Sequence, residues 1–266
     1  MTSLFLTNLA VITSIMVLLW LVSLAITNAS IVDIFWGPAF AIVAWLSFWL
    51  ADGHGTRDWL LVVLTSVWGL RLGGYLAWRN LGHGEDPRYR ASRESIGKRF
   101  GLISLVLVFG LQGLLVCLVS LPLQAGQRAP ALDHVTILQA LGLLCWGVGV
   151  LFETVGDWQL ARFRAHPASA GAVMDRGLWR YTRHPNYFGD FMVWWGLYLV
   201  AVSDLAGLRD LGWTAVGPAI MTFLLMRVSG VPLLERSLKE RRPGYAAYVR
   251  RTSAFFPRPP RPPRAG

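Results

Sequence analysis

GLWRYTRHPNYFGDFMVWW, residues 177–195, is the stretch in which a basic, turn-rich segment passes directly into an apolar helix. Arg180, Arg183 and His184 precede Pro185, a residue suited to the first helical turn because the N–H it lacks would have no partner there. Beyond it, Asn186, Asp190 and Trp194 recur at i, i+4 and i+8, which puts an amide, a carboxylate and an indole on one helix face. Polar groups gathered at the mouth of an apolar helix predict a membrane boundary, with this stretch as the floor of a cofactor site.

Outward from that stretch the chain has the composition of a polytopic membrane protein. Its 266 residues are 54% apolar and 15% charged, too lean in charge for an ordinary soluble domain. Lys and Arg number 25 against 15 Asp and Glu, a formal charge of +10. The bases sit in loops between apolar runs, which points to anionic lipid or phosphate and away from nucleic acid. Cys117 and Cys145 lie inside apolar runs and read as packing residues, with neither disulfide nor zinc-ligand spacing. The N-terminal run lacks a basic leader and outlasts a signal peptide's, so it reads as a retained span, cleavage after Ala25 or Ala29 being the alternative.

A hydrocarbon core about 30 Å thick needs roughly 20 helical residues, and that ruler divides this all-α integral membrane protein into seven transmembrane helices. They fall at about 4–26, 32–50, 59–78, 100–122, 135–158, 187–203 and 213–234. Arg79, Arg88, Arg90, Arg93, Lys98 and Arg99 fill one loop, Arg162, Arg164, Arg176, Arg180 and Arg183 another, and the tail is again basic. Only Arg57, Arg128 and Arg209 fall on the opposite side. Because bases stay on the cytoplasmic side, the N-terminus is expected outside and the C-terminus in the cytoplasm, with the cofactor side facing the cytoplasm. In a bacterium the membrane would be the cytoplasmic one. One membrane domain is expected over 1–266, with residues 1–122 on the substrate side and 135–250 on the cofactor side. The tail over 251–266, ending FFPRPPRPPRAG, should be extended polyproline-type chain resting on anionic lipid.

Within this frame a few polar residues stand out. Span one carries no assigned chemistry. In span two, Asp33, Trp36, Gly37 and Phe40 can share a face, and Asp33 reads either as a helix N-cap or as a catalytic acid. Gly69 and Gly73 in span three allow close approach of a neighbouring helix. Arg71 and Tyr75 lie on the same helix, and an arginine so deep costs several kcal/mol unless partnered, for which Asp33 is the candidate. The mixed-charge loop 79–99 reads as a structured aqueous cap or a headgroup-contacting loop, and His83 within it as no metal ligand. Gln112, the polar residue of span four, should make an interhelical hydrogen bond. Glu153, Asp157 and Arg164 fall on one face of span five, as a ligand site or as an internal ion-pair ladder with Arg162 or Arg164. The segment 165–181 is long enough to fold over a ligand. Arg227, the break at Ser229–Pro232, Glu235, Arg241, Arg242, Tyr245 and Tyr248 follow. Arginine forks match phosphate oxygens, amides and carboxylates match ribose hydroxyls, and aromatic rings offer stacking surfaces. That mixture suits a large, phosphate-bearing cofactor, with no glycine-rich nucleotide-binding loop to hold it.

GLWRYTRHPNYFGDFMVWWG resembles the C-terminal signature of the steroid 5α-reductase superfamily, particularly its bacterial branch. GDWQLARFR, SGVPLLER, RRPGYAAYVRRTSAFFP and SIVDIFWGPAF extend the resemblance over most of the chain. The resemblance implies a seven-helix fold and NADPH-dependent reduction of a carbon–carbon double bond conjugated to a carbonyl, in a steroid or other apolar enone lipid entering from the bilayer. It implies cofactor-binding roles for Asp157, Arg164, Asn186, Tyr187 and Asp190. Glu153, Arg180, Arg183, His184, Trp194, Glu235 and Tyr245 join them as candidates in the same region. Animal members bind the carbonyl with a glutamate in the second span and a tyrosine in the third. Here Asp33 and Trp68 stand near those places, which leaves the tyrosine role unassigned and makes Asp33 with Arg71 or Tyr75 the candidate catalytic group.

The RHP core also resembles S-adenosylmethionine-dependent isoprenylcysteine-type methyltransferases. Those usually lack the Asn186/Asp190 pair, which favours the reductase. A non-enzymatic lipid-binding protein on the same fold is the remaining alternative.

Overall fold

The computed structural model describes residues 1–51, 54–130, 134–169, 171–228, 242 and 244–261. Its long elements are helices. They are α1 (Thr2–Ala25), α2 (Ile31–Trp49), α3 (Thr56–Asn80), α4 (Pro87–Ile96), α5 (Phe100–Ser104), α6 (Leu111–Val119), α7 (Leu121–Gly126), α8 (Ile137–Ala165), α9 (Pro185–Val202), α10 (Leu205–Leu211), α11 (Val216–Phe223) and α12 (Tyr245–Arg251). Six helical stretches are long and apolar enough to cross a membrane: Thr2–Ala25, Ile31–Trp49, Thr56–Asn80, Pro87–Val119, Ile137–Ala165 and Ala206–Val228. The chain is therefore a multi-pass membrane protein with six such helices among the described residues. The expected span 187–203 does form a helix, α9, but its first turns carry Asn186 and Asp190, which lower its apolar character below that of the six.

The chain divides into two compact units, Met1–Ala140 with Leu197–Gly217, and Leu141–Gly196 with Pro218–Gly266. In the first, α2 packs on α3 at backbone distance. A methyl group on Gly37 would lie 2.3 Å from the Gly69 carbonyl oxygen, and one on Gly73 would lie 2.7 Å from the Pro38 ring. The GxxxG reading of Gly69 and Gly73 holds, because only glycine leaves room for the facing helix.

Polar residues tie this unit together from inside. Asn8 Nδ2, on the span to which no chemistry was assigned, donates to Ser47 Oγ at 3.1 Å and to Gln124 Oε1 at 3.2 Å. Gln124 Nε2 in turn donates to the Cys117 carbonyl at 2.9 Å. Buried amides surrounded by hydrocarbon must find such partners. Gln112 makes no hydrogen bond among the described residues, so the interhelical amide is Gln124. A π-helical turn at Leu105–Gly110 precedes Gln112 and shifts the phase of the helix face on which it falls.

In the second unit, α8 and the first turns of α9 meet along glycines. Methyl groups on Gly149 and Gly189 would lie 2.6 and 2.5 Å from each other's backbone carbonyl oxygens, and one on Gly196 would lie 2.7 Å from that of Gly142. The glycines recur at intervals of seven on both helices, the spacing that keeps one seam in contact.

Residues 252–261 of the tail form no helix and dock on the protein's own chain. Arg183 N–H donates to the Ser253 carbonyl at 2.9 Å, Thr182 Oγ1 to Phe255 O at 2.7 Å, and Arg258 N–H to Tyr181 O at 3.0 Å. Phe255 is buried, with its ring centroid 5.7 Å from that of Phe191 and 6.3 Å from that of Phe188. Burying one such ring stabilises by about 1.5–3 kcal/mol.

Candidate functional site

In the first unit, chemistry gathers where the N-terminus of α2 meets α4. Asp33 accepts a hydrogen bond from Tyr89 Oη at 2.7 Å and another from Arg88 at 2.8 Å. Asp33 is therefore no N-cap, since the cap position is Ser30. The expected Asp33–Arg71 pair is also replaced. Arg71 lies over the Tyr75 ring at 5.6 Å, and Arg79 lies over the same ring at 5.6 Å, one turn away on either side along α3. Cation–π contacts of this kind disperse the charge of an arginine against an aromatic face.

The loop before α4 fastens the cluster. Ala29 N–H donates to Glu85 Oε1 at 2.9 Å, and Asp86 N–H donates to Ser30 Oγ at 2.6 Å. Arg93 grips Glu85 with two hydrogen bonds, of 3.0 and 2.7 Å. Hydrogen bonds from Arg93 hold the Glu85 carboxyl below its ordinary range, against the opposing effect of burial. The expected loop 79–99 holds the helix α4, N-capped by Asp86. Tyr89 and Arg88 escaped the sequence reading because nothing in the loop's composition marks which of its residues reach Asp33.

In the second unit, α8 presents Glu153 and Asp157, both buried, to α9. Asn186 Nδ2 donates to Asp157 Oδ1 at 3.4 Å. Gly189 has no side chain to hold Glu153 away, since a methyl group there would lie 2.7 Å from Glu153 Cγ. Trp194 is fully buried two turns further along α9. The candidates Glu153, Asp157, Asn186 and Asp190 thus belong to a single helix seam, and i, i+4 spacing on both helices is what aligns them. His184 is buried and stacks on Tyr187, with centroids 5.2 Å apart and planes nearly parallel.

Arg183 is committed to the tail: its Nη1 donates to the carbonyls of Thr252 at 2.6 Å and Val249 at 3.1 Å, capping the C-terminal end of α12. Tyr245 is buried with its ring 5.8 Å from that of Tyr248. Tyr248 Oη donates to the Trp179 carbonyl, and burial pushes its phenol up from the ordinary range. Arg164 and Arg180 are exposed. Glu235, Arg241 and the break at Ser229–Pro232 lie outside the described residues.

Two cavities open beside this seam. One, of about 500 Å³, is lined by Trp158, Gln159, Phe163, His166 and Arg176 among others. The next, of about 470 Å³, shares Arg176 and is lined by Arg180, Arg251 and Arg261 as well. Aromatic lining in one and arginines in the other fit the ring and phosphate portions of a dinucleotide. Trp158, Arg176, Arg251 and Arg261 were missed as site residues. Their only mark in the sequence is a place in basic or aromatic-flanked runs.

A family model described as a protein of unknown function, DUF1295, matches residues 19–252. No curated protein matches the chain, and no solved structure does.

Proposed function

The chain belongs to the DUF1295 family, a membrane-protein family related to steroid 5α-reductase-like and isoprenylcysteine-methyltransferase-like proteins. On that premise we propose that it is an NADPH-dependent reductase of a carbon–carbon double bond conjugated to a carbonyl, acting on a steroid-like or other isoprenoid lipid drawn from the bilayer. The observation that carries the reading is the α8–α9 seam, where Asn186 reaches Asp157 beside the buried Glu153. An amide and carboxylates held this way hydrogen-bond ribose hydroxyls or a carboxamide, while the neighbouring arginines match phosphates.

The bound cofactor would supply hydride to the β carbon. Tyr89 would polarise the substrate carbonyl, its hydroxyl taking the tyrosine role that the sequence left open, with Asp33 as the residue that positions it. The Tyr89 O–H, which here donates to Asp33, would turn to the carbonyl oxygen when substrate binds and stabilise the enolate that develops there, while Arg88 keeps Asp33 in place. The α carbon then takes a proton from solvent water, which completes the addition of one hydride and one proton across the double bond. The loop charges further support seven crossings, with α9 as the sixth and the C-terminus in the cytoplasm.

Titrating the detergent-solubilised protein with NADPH and with S-adenosylmethionine tests the reading. Saturable binding of NADPH alone is expected. Binding of S-adenosylmethionine without NADPH would replace the reductase by a methyltransferase, and binding of neither would leave a lipid-binding protein.

A further inference from the structure

We propose that the cavity between the turn at 175–180 and the docked tail is a built phosphate-binding site, with the tail as one of its walls. The carrier of the phosphate follows from the reductase reading; the site itself does not. Four arginines line the cavity, Arg176, Arg180, Arg251 and Arg261, with Asp175 as the one carboxylate. Arg251 forms an ion pair with Asp175 and so cancels it. The guanidinium groups of Arg176, Arg180 and Arg261 make no ion pair among the described residues, which leaves about three uncompensated positive charges around one 470 Å³ space.

Arg176, Arg180 and Arg261 are exposed, so solvent screens their mutual repulsion, and an anion seated between them is attracted by all three. Guanidinium forks bind phosphate oxygens in pairs, and three forks around one cavity exceed what a single carboxylate could satisfy. The backbone of the walls is held by hydrogen bonds. Gly177 sits at φ +56°, where other residues are strained, and it packs against Gln159, whose Oε1 accepts the Leu178 N–H at 3.0 Å. That turn presents Arg176 and Arg180 on either side of it. On the opposite wall, Arg261 N–H donates to the Arg251 carbonyl at 2.9 Å and Arg258 N–H to Tyr181 O at 3.0 Å. These bonds, with the buried Phe255, bring Arg261 to the cavity across a proline-rich segment whose stiffness lowers the entropy of holding it there.

The test uses the full-length protein in neutral-lipid nanodiscs, titrated calorimetrically with inorganic pyrophosphate. The wild type should bind, more weakly as salt rises, and the double variant Arg176→Gln/Arg261→Gln should bind at least about tenfold more weakly, equivalent to about 1.4 kcal/mol. Arg250→Gln, which removes a neighbouring charge outside the cavity, should bind like the wild type. Equal affinity in the double variant, equal loss in Arg250→Gln, or no pyrophosphate binding by the wild type would each overturn the site. Displacement of pyrophosphate by NADPH identifies a dinucleotide as the carrier, and displacement only by phosphatidic acid in the nanodisc identifies a lipid headgroup. Pyrophosphate binding without any NADPH binding would retain this site while removing the reductase reading.

Discussion

Tyr89 Oη donates a 2.7 Å hydrogen bond to the carboxylate of Asp33, fifty-six positions earlier in the chain. Arg88 completes the carboxylate's partners at 2.8 Å. If Tyr89 polarises the substrate carbonyl and Asp33 positions it, Tyr89→Phe should lower turnover by about 10²–10³-fold, the cost typical of removing one such donor, and Asp33→Asn should lower it in the same direction. NADPH affinity should stay within about twofold of the wild type. Turnover unchanged in both variants would remove the dyad from the reaction.

At the α8–α9 seam, Asp157→Asn should weaken NADPH binding about tenfold, equivalent to 1.4 kcal/mol, while shifting the unfolding temperature little. A variant that binds NADPH normally would show that Asp157 and Asn186 serve packing alone.

Much of this architecture was legible because it is local. The i, i+4 spacing of Asn186 and Asp190, and of Glu153 and Asp157, places each pair on one helix face, and the facing glycines bring those faces together. Gly69 and Gly73 announced a close helix contact for the same reason. Tyr89 and Arg88 were not legible as partners of Asp33, because a loop's reach depends on where its short helix lies. Gln112 and Gln124 look alike in an apolar run, and the π-helical turn at Leu105–Gly110 decides the face on which Gln112 falls. The tail's composition signals extended chain, but its docking rests on Phe255 and on backbone hydrogen bonds that carry no sequence signature.

Close backbone contacts make glycine substitutions informative. Gly189→Ala would place a methyl group 2.5 Å from the Gly149 carbonyl oxygen and 2.7 Å from Glu153 Cγ. The expected destabilisation is about 1–3 kcal/mol, the usual range for overpacking, read by thermal unfolding in detergent. Gly212→Ala, where a methyl group meets nothing within 4 Å, is the control. Equal unfolding temperatures for the two variants would argue against the seam.

The Glu85–Arg93 pair predicts a pH dependence of defined sign. The folded-state pKa of Glu85 lies below its unfolded value because Arg93 binds the carboxylate. Its contribution to stability is therefore fully present above the unfolded glutamate value near about 4.3 and declines as pH falls through the folded value. Arg93→Gln should flatten this acid limb of the unfolding profile while leaving the neutral-pH shape intact. An unchanged acid limb in the variant would contradict the assignment.

The central claim, reduction of a conjugated enone by NADPH, is tested most directly by isotope transfer. Nanodiscs carrying the full-length protein are incubated with NADPH deuterated at the transferring C4 position and with a mixture of steroid and polyprenoid enones, and the lipids are analysed by mass spectrometry and NMR. The account predicts saturated ketone products with one deuterium on the β carbon, lost in Tyr89→Phe. Absence of deuterium from every lipid, together with transfer of a labelled methyl group from S-adenosylmethionine in the parallel incubation, would contradict it.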